Sequence, residues 1–260
     1  VFGGFLLLDG LGEAIAPIGL SIVLLYSEVR FPFILLAGAA LLCILIFIRL
    51  NKSKKVHSSD NTESKEIHLS YKKSIALIKT SGNKGIFLLA LGFFVAFFWQ
   101  SVWFTQPLIG FYENSIFDSA LIVAAFSLPA ILLSKPLGVL TDRIGTRRMF
   151  IFAILITIVS FLGFYSANIL PMKIAFIFAA AAGVCGVRLV LNVVAARIHK
   201  KGDRGEFFGI IETVKDGSYA LAPIIIGTSY AFIGLNGIFL VNVGLAILLF
   251  FFGLKIFQEK

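Results

Sequence analysis

The densest chemistry in this chain lies in the apolar run Phe207–Phe232, where Glu212, Lys215, Asp216 and Tyr219 follow i, i+3, i+4, i+7 spacing. That spacing puts all four on one face of one helix. Such a face holds an ion pair, binds a proton or accepts a polar ligand. Asp9 and Glu13 stand four residues apart in another apolar run, with Pro17 continuing their stripe. Two carboxyls this close cannot both ionise cheaply in a medium of low dielectric, so one is expected to keep its proton. Arg188 lies nine residues before Arg197, about 14 Å at helical rise. A buried guanidinium suits an anion, or a carboxylate such as Glu212 or Asp216. Trp99, Gln100 and Trp103 offer aromatic faces and an amide to a mixed apolar and polar ligand. Each group has a plainer reading. The charges also suit a static ion-pair network between helices, and the tryptophans an aromatic belt at a membrane interface.

The elements that must position these groups are long and apolar. Hydrophobic residues make up 58% of the 260-residue chain, charged residues 14%, and the mean hydropathy is +0.96. Soluble domains carry roughly 45–50% apolar and about 25% charged residues. A helix needs about 20 mostly apolar residues to cross a bilayer core of ~30 Å. Eight stretches meet that need: Gly4–Tyr26, Phe31–Leu50, Gly85–Phe111, Phe117–Val139, Met149–Ala167, Pro171–Ala195, Phe207–Phe232 and Leu235–Ile256. Membrane β-strands run about 9–11 residues and alternate in polarity, so these lengths predict helices. The expected class is an all-α membrane protein with eight transmembrane helices.

The polar segment Asn51–Lys84 separates the second and third spans. Its first part, Asn51–Glu66, reads as a flexible linker. Its second part places Tyr71, Ile75 and Ile78 on one helical face and suits either a helix lying on the lipid surface or a solvated loop. Putting this segment in the cytoplasm places 18 of the 23 Lys and Arg residues on that side and leaves Arg30 and Lys173 opposite. Lys135, Arg188 and Lys215 stay within spans. That asymmetry is the positive-inside pattern, and it predicts a cytoplasmic C-terminus. It also explains the net charge of +9 without nucleic acid, because the cations sit in short patches between apolar runs.

No metal-ligand spacing, disulfide framework or hydrolase motif is present. Cys43 and Cys185 lie in apolar runs and read as small buried hydrophobes. His57, His68 and His199 fall between spans. Neither an enzyme nor a cofactor is expected. The chain opens at Val1, already apolar and without a signal peptide's charged n-region, so an earlier segment is expected before it.

The first two spans resemble the last two. At an offset of 206 residues, Phe2, Gly3, Ala14, Ala16, Pro17 and Ile18 meet identical residues, as do Phe33, Gly38, Ala40 and Leu42. Parallel repeats about an axis along the membrane normal are a transporter plan. Six helices separate the copies, which predicts a six-plus-six protein entered at its fifth helix.

Between the fourth and fifth spans stands Gly138-Val-Leu-Thr-Asp142-Arg143-Ile-Gly145-Thr-Arg147-Arg148. Gly138 is expected to let two helices approach. Gly145 is expected to make a turn that a Cβ would hinder. Asp142 is expected to meet a helix N-terminus or an arginine. This loop resembles the G-x-L-a-D-r-x-G-r-k signature of the major facilitator superfamily, with Thr146 at a usually basic position. Arg204-Gly205 before Phe208-Gly209 resembles the entry to that family's eleventh helix. Ala16-Pro17-Ile18-Gly19 partly resembles the G-P-x-x-G-G motif of antiporter-like members, with Ala16 and Ser21 replacing glycines.

The resemblance covers the whole chain as helices five to twelve of twelve. It implies residues 1–50 as the last two helices of the N-terminal half, 51–84 as the cytoplasmic inter-domain loop, and 85–260 as the C-terminal six-helix half. It further implies a gating role for Gly138, Asp142, Arg143, Gly145 and Arg147, and a cavity lined by the third and sixth spans. The expected function is secondary transport of a small drug-like solute or organic ion by alternating access, facilitative or linked to protons, efflux included. A monomer in the plasma membrane is expected. The alternative is a channel or non-transporting sensor.

Overall fold

The computed structural model describes residues 63–112, 116–198 and 203–258, with Gly38 and Leu41 besides. Among these residues the chain is helical, in the order α1 (Glu63–Tyr112), α2 (Ile116–Leu132), α3 (Ser134–Ile144), α4 (Thr146–Ser166), α5 (Leu170–Ile198), α6 (Arg204–Ile233) and α7 (Leu235–Ile256). No strand occurs among the described residues. Apart from Gly38 and Leu41, the first two expected spans, and with them the first copy of the internal repeat, the Ala16–Gly19 motif, Asp9 and Glu13, lie outside them.

Among the described residues four stretches are long and apolar enough to cross a membrane: Ala76–Thr105 within α1, α4, α5 and Gly237–Ile256 within α7. A fifth follows if α2 and α3 count as one bent span. The 30-residue α6 is long enough, at ~45 Å, yet is not among them. Glu212, Lys215 and Asp216 lower its apolarity, so a bilayer alone is a poor solvent for it.

Three boundaries differ from the sequence expectation. The helix before the third span starts at Glu63, so the end of the expected linker is helical. Glu63, Lys65 and Glu66 are strong helix formers, and a reading based on polarity alone ignores that. Gly82 then breaks α1 at φ 53°, ψ −143°, a region open in practice only to glycine. The hydroxyls of Thr80 and Ser81 both donate to the Leu77 carbonyl, at 3.0 and 2.6 Å, closing the turn before the break.

The third difference is in the fourth span. It is bent by 54° between α2 and α3. Pro136, three residues beyond the break, is the physical reason the sequence offers. It has no N–H to offer the carbonyl four residues back, and its ring presses on that carbonyl. The carbonyl belongs to Leu132, the last residue of α2. The neighbouring bonds survive, with Leu133 N–H donating to Pro129 O at 2.9 Å and Leu137 N–H to Leu133 O at 2.8 Å.

The core forms where α1 meets α2, α4, α5, α6 and α7 in one continuous apolar cluster. Phe87, Phe94, Phe98, Phe126, Phe150 and Phe161 are all fully buried in it. Edge-on ring pairs recur, as between Phe98 and Phe161 at 4.8 Å. That geometry matches a positive ring edge to a negative face. In lipid, helices associate through close packing rather than water exclusion. The α4–α5 contact is the clearest case. A Cβ at Gly183 would sit 2.3 Å from Thr157 Oγ1 and 2.6 Å from Ala153 O, and one at Gly186 only 2.8 Å from Ala153 Cβ. Bare glycine backbone is what lets α5 lie against α4. Cys185 is buried beside these glycines.

Candidate functional site

In its first half α6 has two faces of opposite character, whereas its second half exposes Leu221, Ile224, Ile225 and Phe232. Phe207, Ile211, Ser218, Ala222 and Ile226 are buried. They recur at helical spacing and pack on α1. Contact is close at Gly92, where a Cβ would meet Ile211 Cγ2 at 3.1 Å and Lys215 Cγ at 3.7 Å. Ser218 fastens the pair, its hydroxyl donating to the Phe93 carbonyl of α1 at 2.9 Å. Sequence reasoning passed over Ser218; its signal was its place seven residues after Ile211 on an otherwise apolar stripe.

The other face of α6 exposes Glu212, Thr213, Asp216 and Tyr219. Lys215 stands between the faces. Its stem is covered, leaving the side chain 13% exposed, while its Nζ donates to Glu212 Oε2 at 2.7 Å; Glu212 itself is 60% exposed. An exposed pair of this kind contributes little stability. Its consequence is that Lys215 is committed to Glu212. Asp216 has no ion pair among the described residues.

Asp216 lies nine residues into the run from Phe207, ~14 Å at helical rise, near the middle of a ~30 Å core. The exposed surfaces of α4 and α7 are instead apolar, with Phe152, Ile156 and Val159 on one and Ile247, Leu248 and Phe251 on the other. Those two faces suit lipid. The polar face of α6 suits water or protein.

Arg188 does not meet the α6 carboxylates. It is half-buried on α5, which packs chiefly on α4 and α2, whereas α6 packs chiefly on α1. No described carboxylate pairs with it. The expected pairing with Glu212 or Asp216 is therefore not formed among the described residues; Glu212 finds Lys215 on its own helix, and α5 touches α6 only slightly. Asn192, one turn beyond Arg188 and exposed, extends its polar strip. The sequence reading missed Asn192, whose i, i+4 relation to Arg188 was visible.

On α1, the Trp99 ring packs against Phe126 of α2, with centroids 4.4 Å apart and planes at 52°. Trp103 also rests against the core, and Gln100 is half-buried. Trp99 thus helps join α1 to α2. A buried polar link joins α1 to α7, with the Ser101 hydroxyl donating to Phe97 O at 2.7 Å and to Asn242 Oδ1 at 3.4 Å. Asn242 Nδ2 donates to Ile238 O at 2.9 Å.

The motif loop joins α3 to α4. Gly145 takes φ 84°, ψ 156° at that junction, so the expected need for glycine holds there. Its N–H donates to Thr141 O at 3.0 Å. Gly138 has open space beside it, with no described residue within 4 Å of a Cβ there. The close helix approach expected of it is therefore absent among the described residues, since α3 turns away from α2 at the proline bend. Asp142, Arg143, Arg147 and Arg148 are all exposed. Asp142 has no arginine partner among the described residues.

No group of three His, Cys, Asp or Glu able to hold a metal occurs among the described residues. No curated protein and no solved structure matches this chain. A family model described as Major Facilitator Superfamily matches residues 88–260. That stretch takes in the later part of the α1 span and every helix after it, more than half of the chain. Apolar membrane-length helices, a signature loop at a glycine turn and that match agree: this integral membrane protein belongs to the Major Facilitator Superfamily and is a membrane transporter of that family.

Proposed function

We propose that the chain carries a small solute across the membrane by alternating access, as the later part of a twelve-helix secondary transporter. The observation that carries this reading is the exposed polar face of α6 at mid-membrane depth, in a bundle whose α4 and α7 faces are apolar. Such a face belongs against a water-filled path or the other half of the protein. Asp216 and the Glu212–Lys215 pair supply its charge. Arg188 and Asn192 on α5 add an anion-binding strip. Gln100 and Trp103 extend the same path, with Trp99 positioned by Phe126.

In this reading Asp9 and Glu13 carry the coupling proton, and solute and proton move in opposite directions. Gly138, Asp142, Arg143, Gly145 and Arg147 form the gating loop, and the open space beside Gly138 leaves room for a helix of the N-terminal half. The protein acts as a monomer in the plasma membrane, with residues 51–84 and the C-terminus cytoplasmic.

The test is flux through the full-length protein in proteoliposomes, using a lipophilic cation and a small organic anion as alternative solutes. Saturable uptake that is accelerated by solute on the opposite side is the expected result. Arg188→Gln should raise KM for the anion selectively. Flux that rises linearly with concentration and shows no exchange would identify a channel, and no flux at all with any solute would favour a sensor.

A further inference from the structure

The bent span formed by α2 and α3 leaves one of its faces bare. On α3, Leu137 and Ile144 pack against the core and Thr141 is buried. The opposite face carries Lys135, Val139 and Asp142 at i, i+4, i+7, all three exposed. The same alternation of four and three residues runs back onto α2 through Leu132 and Leu128. Leu128, Leu132 and Val139 are 37%, 57% and 47% exposed. Lys135 has no ion pair among the described residues. It stands four residues inside the expected end of the span at Val139, about 6 Å at helical rise. A cation at that level is better matched by a carboxylate than by acyl chains.

Of the two expected spans that precede the described helices, the first carries two carboxylates, Asp9 and Glu13, and the second carries none. Asp9 stands five residues inside the expected start at Gly4, about 7.5 Å at helical rise. That is the level of Lys135, and both ends are expected to be cytoplasmic. At helical spacing Asp9 shares a face with Gly12 and Ala16. Small residues of this kind let a second helix come close. The first span is expected to run outward where α2 and α3 run inward, so one pairing fixes an antiparallel register. With Asp9 opposite Lys135, Gly12 falls opposite Leu132 and Ala16 opposite Leu128. Each exposed leucine then meets a small residue, and the two charges meet each other.

We propose that the face formed by Leu128, Leu132, Lys135 and Val139 is the docking surface of the first span, Gly4–Tyr26, and that an Asp9–Lys135 ion pair sets its register. The proposal rests on the reading of this chain as parts of two halves of a transporter, and it names the contact that joins them.

The experiment is copper-phenanthroline oxidation of double-cysteine variants of the full-length protein in native membranes, with a protease site placed within residues 51–62. After cleavage, a disulfide keeps the two pieces together on a non-reducing gel. A16C/L128C should cross-link about tenfold faster than A16C/V159C, whose second cysteine replaces the exposed Val159 of α4. The single variants A16C and L128C measure the background from Cys43 and Cys185. K135D should slow the A16C/L128C cross-link about fivefold, and D9K/K135D should restore it. Equal rates for the two cysteine pairs overturn the proposal, as does an unslowed cross-link in K135D. Alkylation of L128C by a lipid-soluble maleimide as fast as that of V159C would place lipid on this face. A disulfide between two copies of L128C would place a second copy there. Either result overturns the proposal. None of these measurements uses transport, so a protein that cross-links but shows no saturable flux refutes the transport cycle and keeps the contact.

Discussion

Replacing Gly183 by alanine tests whether backbone proximity holds α4 against α5. The added Cβ would stand 2.3 Å from Thr157 Oγ1, 2.6 Å from Ala153 O and 3.0 Å from Thr157 N. Comfortable contact begins near ~3.5 Å, so the helices must part by about 1 Å. Rotating Thr157 relieves only the first clash, because the other two atoms are backbone. Overpacking of this kind costs about 1–3 kcal/mol. Disturbing the Thr157 hydroxyl, which donates to Ala153 O at 2.9 Å, adds about 0.5–1.5 kcal/mol. The expected destabilisation is therefore about 2–4 kcal/mol. It is read as a lowered unfolding midpoint of the full-length protein in mixed micelles. T157A/G183A should recover part of the loss, since the hydroxyl clash goes and the carbonyl clash stays. Gly244→Ala serves as the control, because nothing described stands within 4 Å of its Cβ. A G183A protein that unfolds where the wild type does would refute the packing argument.

Phe87→Ala removes a ring that stands edge-on to Phe150, Phe252 and Phe257 and should cost about 3–5 kcal/mol by the same unfolding measurement; a loss below about 1 kcal/mol would mean the rings are not mutually supporting. Pro136→Ala restores the missing donor to the Leu132 carbonyl. The 54° bend between α2 and α3 should then relax, lengthening the distance between spin labels placed at Phe117 and Arg143. An unchanged label distance would show that packing, rather than proline, sets the bend. Asp9→Asn with Glu13→Gln should abolish the pH dependence of transport in proteoliposomes while leaving solute exchange at fixed pH measurable; persistent pH dependence would remove these carboxyls from the coupling step.

Much of the architecture was legible because membrane insertion is decided residue by residue. The apolar runs that became the α1 span, α4, α5 and α7 are sums of individual transfer preferences, and a sum needs no knowledge of neighbours. The turn at Gly145 was legible for a similar reason, since left-handed backbone selects glycine locally. The polar stripe of α6 followed from helical periodicity alone, although the same charges keep α6 from reading as a lipid-facing span.

Pairwise contacts were not legible. Sequence spacing suggested Arg188 as a partner for Glu212, but the carboxylate is held by Lys215 one turn along its own helix. Trp99 carries a ring type suited to binding, yet what it touches is Phe126. Gly138 and Gly183 look alike as small residues in helices, but only Gly183 has backbone pressed against it. The sequence by itself determined that the α1 span, α4, α5 and α7 are long and apolar enough to cross a membrane, because that depends on each side chain's own solvation. Only the tertiary structure decided which glycine, ring or charge meets which, because contact depends on how helices far apart in the chain cross and bend.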